Sequence, residues 1–249
     1  MPLATSEDAV LGGRLILRQP LRGHRVGHDA ILLAAATAAN PGEHAIEFGA
    51  GVGAAGLALA LREPTMMVTL VEIDSDLAAL AQENTARNGL ADRVRVIAGN
   101  VEQLDLRATK PADRLLMNPP FNDPRRHNVS PDPKRRDAHV AGVGLLRRWT
   151  DSAACVLRGK GVLTLIWRAD DLDHVLAAIR PQFGNVGVLP VLPRADAAPI
   201  RVLVRAAKGA DWTRRDYAAL LLNDAAGKPT REAEAVMREA ATLALAEAG

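Results

Sequence analysis

The chain has 249 residues, of which 48% are hydrophobic and 24% are charged, and 31 basic against 29 acidic side chains give a formal net charge of +2. This composition is typical of a globular protein that buries a core without needing disulfides or metals. Aromatic residues make up only 3% of the chain, which argues against a protein that stacks base after base of single-stranded nucleic acid.

The compartment is indicated by one cysteine and by short apolar runs. Cys155 has no second cysteine with which to form an intramolecular disulfide, which fits a reducing compartment. Apolar stretches such as residues 30–39 are about half the roughly 20 residues that cross a bilayer. The first residues lack the basic-then-apolar pattern of a secretory signal. We therefore expect a cytoplasmic protein, with Cys155 buried in an apolar helix.

Strands and helices are predicted to alternate along most of the chain. Residues 1–40 are predicted to form an N-terminal segment with a candidate hairpin and an apolar helix, and residues 41–249 one α/β domain. Because strands and helices alternate, the domain is expected to hold a doubly wound sheet, made mixed by two antiparallel strands near the end. The predicted strands cover residues 44–48, 66–73, 94–98, 114–117 and 162–167, with two more between 186 and 206. The predicted helices cover residues 29–39, 54–62, one capped by Ser75, 143–157, 175–179 and 232–248.

A glycine-rich turn follows the first strand of this domain. Residues 47–53 read Glu-Phe-Gly-Ala-Gly-Val-Gly, and such glycines allow a tight turn and a close approach of a ligand to the backbone. Glu72 ends the next strand, where an acid reaches the ribose hydroxyls of a bound nucleoside. Together the turn and the acid predict a nucleoside cofactor in the crevice at this edge of the sheet.

The glycines alone leave the cofactor open, because they also satisfy the looser pattern of nicotinamide dinucleotide enzymes. Glu47 favours S-adenosylmethionine, since a carboxylate there can attract the cationic methionine end of that cofactor. Asn100 can accept a hydrogen bond from the adenine amino group, and a backbone N–H beside it can meet a ring nitrogen. The predicted cofactor contacts are Glu47, Gly49, Ala50, Gly51, Gly53, Glu72, Ile73, Asn100, Val101 and Asn118.

The sequence Asn-Pro-Pro-Phe at residues 118–121 follows the fourth strand, beside the same crevice. Its two prolines fix the backbone, so that the turn is stiff. The Asn118 side-chain oxygen and the Pro119 carbonyl can accept both N–H bonds of a planar amino group and aim its nitrogen at the methyl donor. Phe121 can stack on a flipped-out base. The predicted catalytic residues are Asn118, Pro119, Pro120 and Phe121.

The glycine turn, residues 71–74 and residues 118–121 resemble those of class I S-adenosylmethionine-dependent methyltransferases that modify exocyclic or amide nitrogens. More narrowly, residues 25–33, 81–84 and 227–230 are similar to those of the bacterial valine-tRNA adenine-N6 methyltransferase family. The resemblance implies a Rossmann-like, seven-stranded mixed sheet and methylation of an adenosine beside the anticodon of a tRNA. It also implies that Asp29 covers the cofactor.

Basic side chains in the polar loop after Phe121 can bind RNA phosphates, or they can simply lie on a solvated surface. They are Arg125, Arg126, Lys134, Arg135 and Arg136. No metal site is predicted.

Other functions remain open from the sequence. In a protein glutamine N5-methyltransferase, the substrate glutamine presents a planar amide to the same four residues. A small-molecule methyltransferase can use the same fold. A nicotinamide-dependent oxidoreductase would leave the Asn-Pro-Pro-Phe turn unused, and a non-catalytic RNA-binding protein would turn over nothing.

Overall fold

A computed structural model of the chain describes residues 3–22, 25–104, 110–120 and 134–247, without the side chains of residues 134–143. The strands are β1 (Thr5–Val10), β2 (Leu15–Pro20), β3 (His44–Phe48), β4 (Met67–Glu72), β5 (Val94–Ala98), β6 (Ala112–Met117), β7 (Leu157–Arg168), β8 (Phe183–Leu192), β9 (Arg201–Lys208), β10 (Arg214–Asp216) and β11 (Leu220–Leu221). The helices are α1 (His28–Ala36), α2 (Ala54–Arg62), α3 (Ser75–Arg87), α4 (Lys134–Val156), α5 (Leu172–Ile179), α6 (Arg231–Glu239) and α7 (Ala244–Glu247).

The main sheet has the strand order β10-β8-β9-β7-β6-β3-β4-β5, and β11 also pairs with β8. Strands β7, β6, β3, β4 and β5 are parallel neighbours, while β9 runs antiparallel to both β7 and β8. The prediction of a Rossmann-like doubly wound mixed sheet is therefore confirmed. The predicted count of seven strands omits β10 and β11, which add parallel pairs to β8. They have three and two residues, too few for an alternating pattern to reveal them.

Helices cover both faces of the sheet, so the central strands are buried on two sides. All five residues of β3 are buried, as expected for a parallel strand between helical layers. On one face Leu57 of α2 and Leu70 of β4 belong to one apolar cluster. On the other face Phe48 of β3 and Trp149 of α4 belong to a second cluster. The carboxyl ends of the parallel strands are thereby held at one rigid edge.

The hairpin of β1 and β2 lies outside the main sheet, with register Thr5↔Pro20 to Val10↔Leu15. The side chains of Leu15 and Leu17 are fully buried in the cluster that contains Leu57. The N-terminal residues therefore share their core with the main sheet.

Three local expectations are wrong: the helix cap at Ser75, the burial of Cys155 and the continuity of the last helix. The predicted cap Ser75 is the first residue of α3, and the Asp74 carboxylate accepts the Asp76 and Leu77 amides instead. Cys155 is exposed, because neighbouring alanines of α4 take the buried side.

The predicted helix over 232–248 is interrupted. Ala240 ends α6 in the left-handed region at φ 60°, and the Leu243 amide then donates to the Ala35 carbonyl of α1. The break buries Leu243 and Leu245 against α1, so packing overrides the high helix propensity of alanine.

Candidate active site

The glycine turn between β3 and α2 has the backbone that only glycine adopts without strain. Gly49, Gly51 and Gly53 have φ of 64°, 55° and 91°. The Ala50 amide donates to the Val71 carbonyl at 3.0 Å, which fixes the turn to the end of β4. The predicted turn is thus present, and its bond to β4 fixes its position.

Two of these glycines meet different surroundings. A Cβ atom on Gly49 would lie 2.7 Å from Cη2 of Trp149, whose ring packs edge-on against Phe48. A Cβ atom on Gly51 would meet no atom of the described chain within 4 Å. Gly49 is therefore required by packing, whereas Gly51 lines open space that a ligand can enter.

Glu72 holds two backbone segments at the end of β4. Its Oε2 atom accepts from the Gly51 amide at 2.7 Å, and its Oε1 atom accepts from the Asp74 amide at 2.9 Å. The carboxylate oxygens keep further lone pairs for ligand hydroxyls. The next side chain, Ile73, is 70% exposed beside it and offers an apolar surface.

Glu47 points from β3 under the first turns of α2. Its Oε2 atom accepts from the Gly56 amide at 2.7 Å, and a Cβ on Gly56 would lie 2.8 Å from that oxygen. Burial raises the pKa of the Glu47 carboxyl to about 8, and the charge of Glu72 adds to this, while the bond from Gly56 opposes it. At neutral pH this carboxyl is mostly protonated, so the predicted attraction for a cation requires that it lose its proton.

The turn after β5 lies beside Glu72, because the Gly99 amide donates to the Glu72 carbonyl at 2.8 Å. Asn100 Oδ1 accepts from the Glu102 amide at 2.9 Å and caps the 3-10 turn Val101–Gln103. The oxygen expected to receive an adenine amino group therefore already has one partner. Val101 is buried under this turn.

Asn118 follows β6 next to the glycine turn. The register Phe48↔Met117 places residue 118 at the level where Gly49 follows β3. Its Oδ1 atom is buried and has no hydrogen-bond partner in the described chain. Leaving such an acceptor unsatisfied costs about 1–3 kcal/mol, which favours a ligand that donates to it. Pro119 is buried and Pro120 is exposed.

The other predicted site residues are only partly described. Asp29, in the first turn of α1, accepts from Arg201 Nε at 2.8 Å. Outside the described part of the chain lie Phe121, Arg125 and Arg126, together with the side chains of Lys134, Arg135 and Arg136.

One residue of this region was missed. Asn84 of α3 is fully buried, and its Nδ2 atom donates to the Val52 carbonyl in the glycine turn at 3.0 Å. The sequence offered two signals for it: a polar residue on the buried face of a predicted helix, and its place in the family-like segment 81–84, which assigned it no role.

The carboxyl ends of β3, β4, β5 and β6 thus bring together the glycine turn, Glu72, Asn100 and Asn118. This is the switch-point crevice in which doubly wound folds bind nucleoside cofactors. S-adenosylmethionine fits these residues, since they offer open space at Gly51, the carboxylate acceptors of Glu72 and the unpartnered oxygen of Asn118. In the described ranges, no cluster of His, Cys, Asp or Glu is arranged for a metal ion, and no helix is long and apolar enough to span a membrane.

Comparison with known proteins identifies the family. Residues 24–190 match the methyltransferase small domain, and the chain belongs to this family. A Porphyromonas gingivalis protein named tRNA1(Val) (adenine(37)-N6)-methyltransferase is 31% identical over 189 residues, which cover 72% of each chain.

Solved structures share the fold. The crystal structure of a predicted O-methyltransferase from Agrobacterium tumefaciens has a TM-score of 0.72 at 25% identity and covers 86% of this chain and 98% of its own. A Thermus thermophilus 16S rRNA N2 G1207 methyltransferase, in complex with AdoMet and guanosine, has a TM-score of 0.57 at 19% identity and covers 82% and 50%. The protein is an S-adenosylmethionine-dependent methyltransferase, which confirms the predicted enzyme class and cofactor.

Proposed function

We propose that this methyltransferase modifies N6 of an adenosine in tRNA. The observation that carries the proposal is the buried Asn118 Oδ1 atom, which has no partner in the described residues, on a residue that the strand register places beside the glycine turn. An acceptor in this place suits a substrate that brings an N–H donor. The name of the Porphyromonas gingivalis relative supports adenine in tRNA as that substrate.

The proposed chemistry follows from the weakness of the nucleophile. The lone pair of an adenine amino group is delocalised into the ring, so the nitrogen must be oriented and its developing positive charge stabilised. Asn118 Oδ1 and the Pro119 carbonyl accept the two N–H bonds and supply both effects. S-adenosylmethionine supplies, when bound, a methyl group on a positively charged sulfur. The N–C bond would form as the bond between the methyl carbon and sulfur breaks, which would leave neutral S-adenosylhomocysteine, and the methylated amine would then give up one proton to solvent.

Two alternatives use the same fold. A protein glutamine amide also presents two N–H bonds to Asn118, and labelling of protein in place of RNA would select it. The Agrobacterium tumefaciens neighbour is described as a predicted O-methyltransferase, and a hydroxyl group would offer one donor hydrogen to a site with two acceptors. The paired acceptors therefore favour a planar amine or amide.

Radiolabelled methyl transfer to RNA tests the proposal. The substrate is total tRNA from a strain that lacks this gene, and digestion followed by nucleoside chromatography identifies the product. We expect label in N6-methyladenosine with the wild-type protein. Loss of one transition-state hydrogen-bond partner costs about 10²–10³ in kcat, so Asn118→Ala should lose that much.

Asn118→Asp is the matched variant, because a carboxylate retains the acceptor oxygen in the same volume. It should retain more activity than Asn118→Ala. Equal labelling by Asn118→Ala and wild type, or label in protein and none in tRNA, would reject the proposal.

A further inference from the structure

Two asparagines, one helical turn apart, attach the N-terminal hairpin to α3. Asn84 Oδ1 accepts from the Arg18 amide at 2.7 Å, and its Nδ2 donates to the Arg18 carbonyl at 3.0 Å. Asn88 Oδ1 likewise accepts from the Ile16 amide at 2.9 Å, and Asn88 Nδ2 donates to the Ile16 carbonyl at 2.8 Å. Since both main-chain groups of a strand residue point to one side, the two side chains take the place of a neighbouring strand.

Asn84 makes one contact that Asn88 does not. Its Nδ2 atom also donates to the Val52 carbonyl in the glycine turn at 3.0 Å. The Nδ2 atom of Asn88 instead donates to the Asn84 carbonyl of the same helix at 2.7 Å. Asn84 is 0% exposed, so water does not compete for its bonds. One buried amide therefore joins the hairpin to the turn that lines the cofactor crevice.

Within the described residues, the ion pairs between the hairpin and α3 do not reach that turn. The ion pairs Arg18–Glu83 and Arg87–Glu7 have side chains between 36% and 56% exposed. Exposed pairs of this kind contribute little to stability and are screened by salt. Besides the apolar packing of Leu15 and Leu17 in the cluster that also holds Ala50, the bond from Asn84 to Val52 is thus the polar contact, among the described residues, that links the hairpin's partner helix to the turn.

We infer that Asn84 is a positioning residue that couples the docking of the hairpin to the conformation of the glycine turn and hence to cofactor affinity. The inference rests on cofactor binding at the glycine turn and does not depend on tRNA as the acceptor. Coupling of this kind is reciprocal. A ligand bound at the turn therefore stabilises the docking of the hairpin on α3. Loss of the Asn84 bonds to the hairpin lowers the affinity for that ligand.

Hydrogen exchange of the full chain, with and without S-adenosylhomocysteine, tests the coupling without any mutation. We expect saturation with this ligand to slow exchange in β2 at least ~3-fold more than in α5. Helix α5 packs against α4 and β7 and reports general stabilisation by the ligand. Equal protection of β2 and α5, or no binding of S-adenosylhomocysteine, would overturn the inference.

Asn84→Ala and Asn88→Ala form a matched pair, because both lose two bonds to the hairpin and only the first loses the bond to Val52. By calorimetry, the Kd for S-adenosylhomocysteine should rise at least ~5-fold in Asn84→Ala and less than ~2-fold in Asn88→Ala. Ligand protection of β2 should vanish in the first variant and persist in the second. Equal changes of Kd in both variants would contradict the inference.

If Asn84→Ala does not fold, single amides of the wild-type protein decide: the ligand should slow exchange of the Arg18 amide, which donates to Asn84, more than that of the Ile16 amide, which donates to Asn88, and equal slowing would overturn the inference. A wild-type protein whose hairpin is protected by the ligand but which labels no RNA would reject the proposed function and leave this inference intact.

Discussion

The Gly51 amide donates to Oε2 of Glu72 at 2.7 Å, which ties the open part of the glycine turn to the acid at the end of the adjacent strand. The other Glu72 oxygen accepts from the Asp74 amide. A single carboxylate therefore shapes the turn while retaining lone pairs for a ribose. The acid predicted to bind the cofactor also builds the surface against which the cofactor would lie.

Glu72→Gln should weaken cofactor binding more than it weakens the fold. A glutamine has one acceptor oxygen and one NH2 group, so either the Gly51 or the Asp74 amide would face a donor. We expect the Kd for S-adenosylhomocysteine to rise about 10-fold or more, equal to ~1.4 kcal/mol, when measured by calorimetry. Asp92→Asn, at an exposed position, is the control and should bind normally. An unchanged Kd for Glu72→Gln would count against this site.

Comparison of Gly51→Ala with Gly42→Ala distinguishes the effect of backbone strain on stability from the effect of a filled ligand space on affinity. Both glycines have positive φ, 55° and 75°, and a Cβ on either meets no described atom within 4 Å. Each substitution should therefore lower the free energy of unfolding by about 1–2 kcal/mol. Only Gly51 lies at the cofactor crevice, so only Gly51→Ala should also weaken binding of S-adenosylhomocysteine. Chemical denaturation and calorimetry measure the two effects, and equal loss of affinity in both variants would reject the assignment.

Much of the site could be predicted from the sequence, because its parts combine local signals with one rule of topology. The glycine turn and residues 118–120 each follow a strand that is recognisable by its apolar residues, and Glu72 ends another such strand. Parallel strands bring such turns to one edge of the sheet. The order of the strands then places Asn118 beside Gly49 without further information.

The remaining features depend on contacts between distant residues. Asn84 bonds to Arg18, 66 positions away, and nothing local in either segment announces that pairing. Leu243 likewise reaches Ala35, which breaks a helix that an alanine-rich sequence favours. Asn100 has the right residue type for adenine, but its oxygen also suits a nearby backbone amide. Local pattern cannot decide between two chemically adequate partners.

Glu47 should make stability depend on pH. Its pKa is about 8 in the folded chain, against the ordinary value of 4.5 in the unfolded chain. Between these values the unfolded chain loses the proton and the folded chain keeps it, so the contribution of Glu47 is full below about pH 4.5 and is lost by about pH 8.

The free energy of unfolding of wild type, relative to Glu47→Gln, should therefore fall by up to about 1.4 kcal/mol per pH unit in this interval. Urea denaturation of both proteins at about pH 5, 6, 7 and 8 measures this difference in the free energy of unfolding. Asp92→Asn, which removes an exposed carboxyl, is measured alongside as the control. Parallel curves for wild type and Glu47→Gln would show that Glu47 ionises normally.

Cofactor binding should release a proton if Glu47 faces the cationic methionine end, as the sequence predicts. The α-ammonium group that S-adenosylhomocysteine shares with S-adenosylmethionine favours the carboxylate, so binding at pH 7 should lower the pKa of Glu47 and release protons. Calorimetry in buffers of different ionisation enthalpy counts the protons released with S-adenosylhomocysteine. Methylthioadenosine lacks the amino-acid end and should release none, and Glu47→Gln should abolish the effect. If both ligands release equal numbers of protons, the methionine end does not lie at Glu47, and the carboxyl serves only to hold the Gly56 amide at the start of α2.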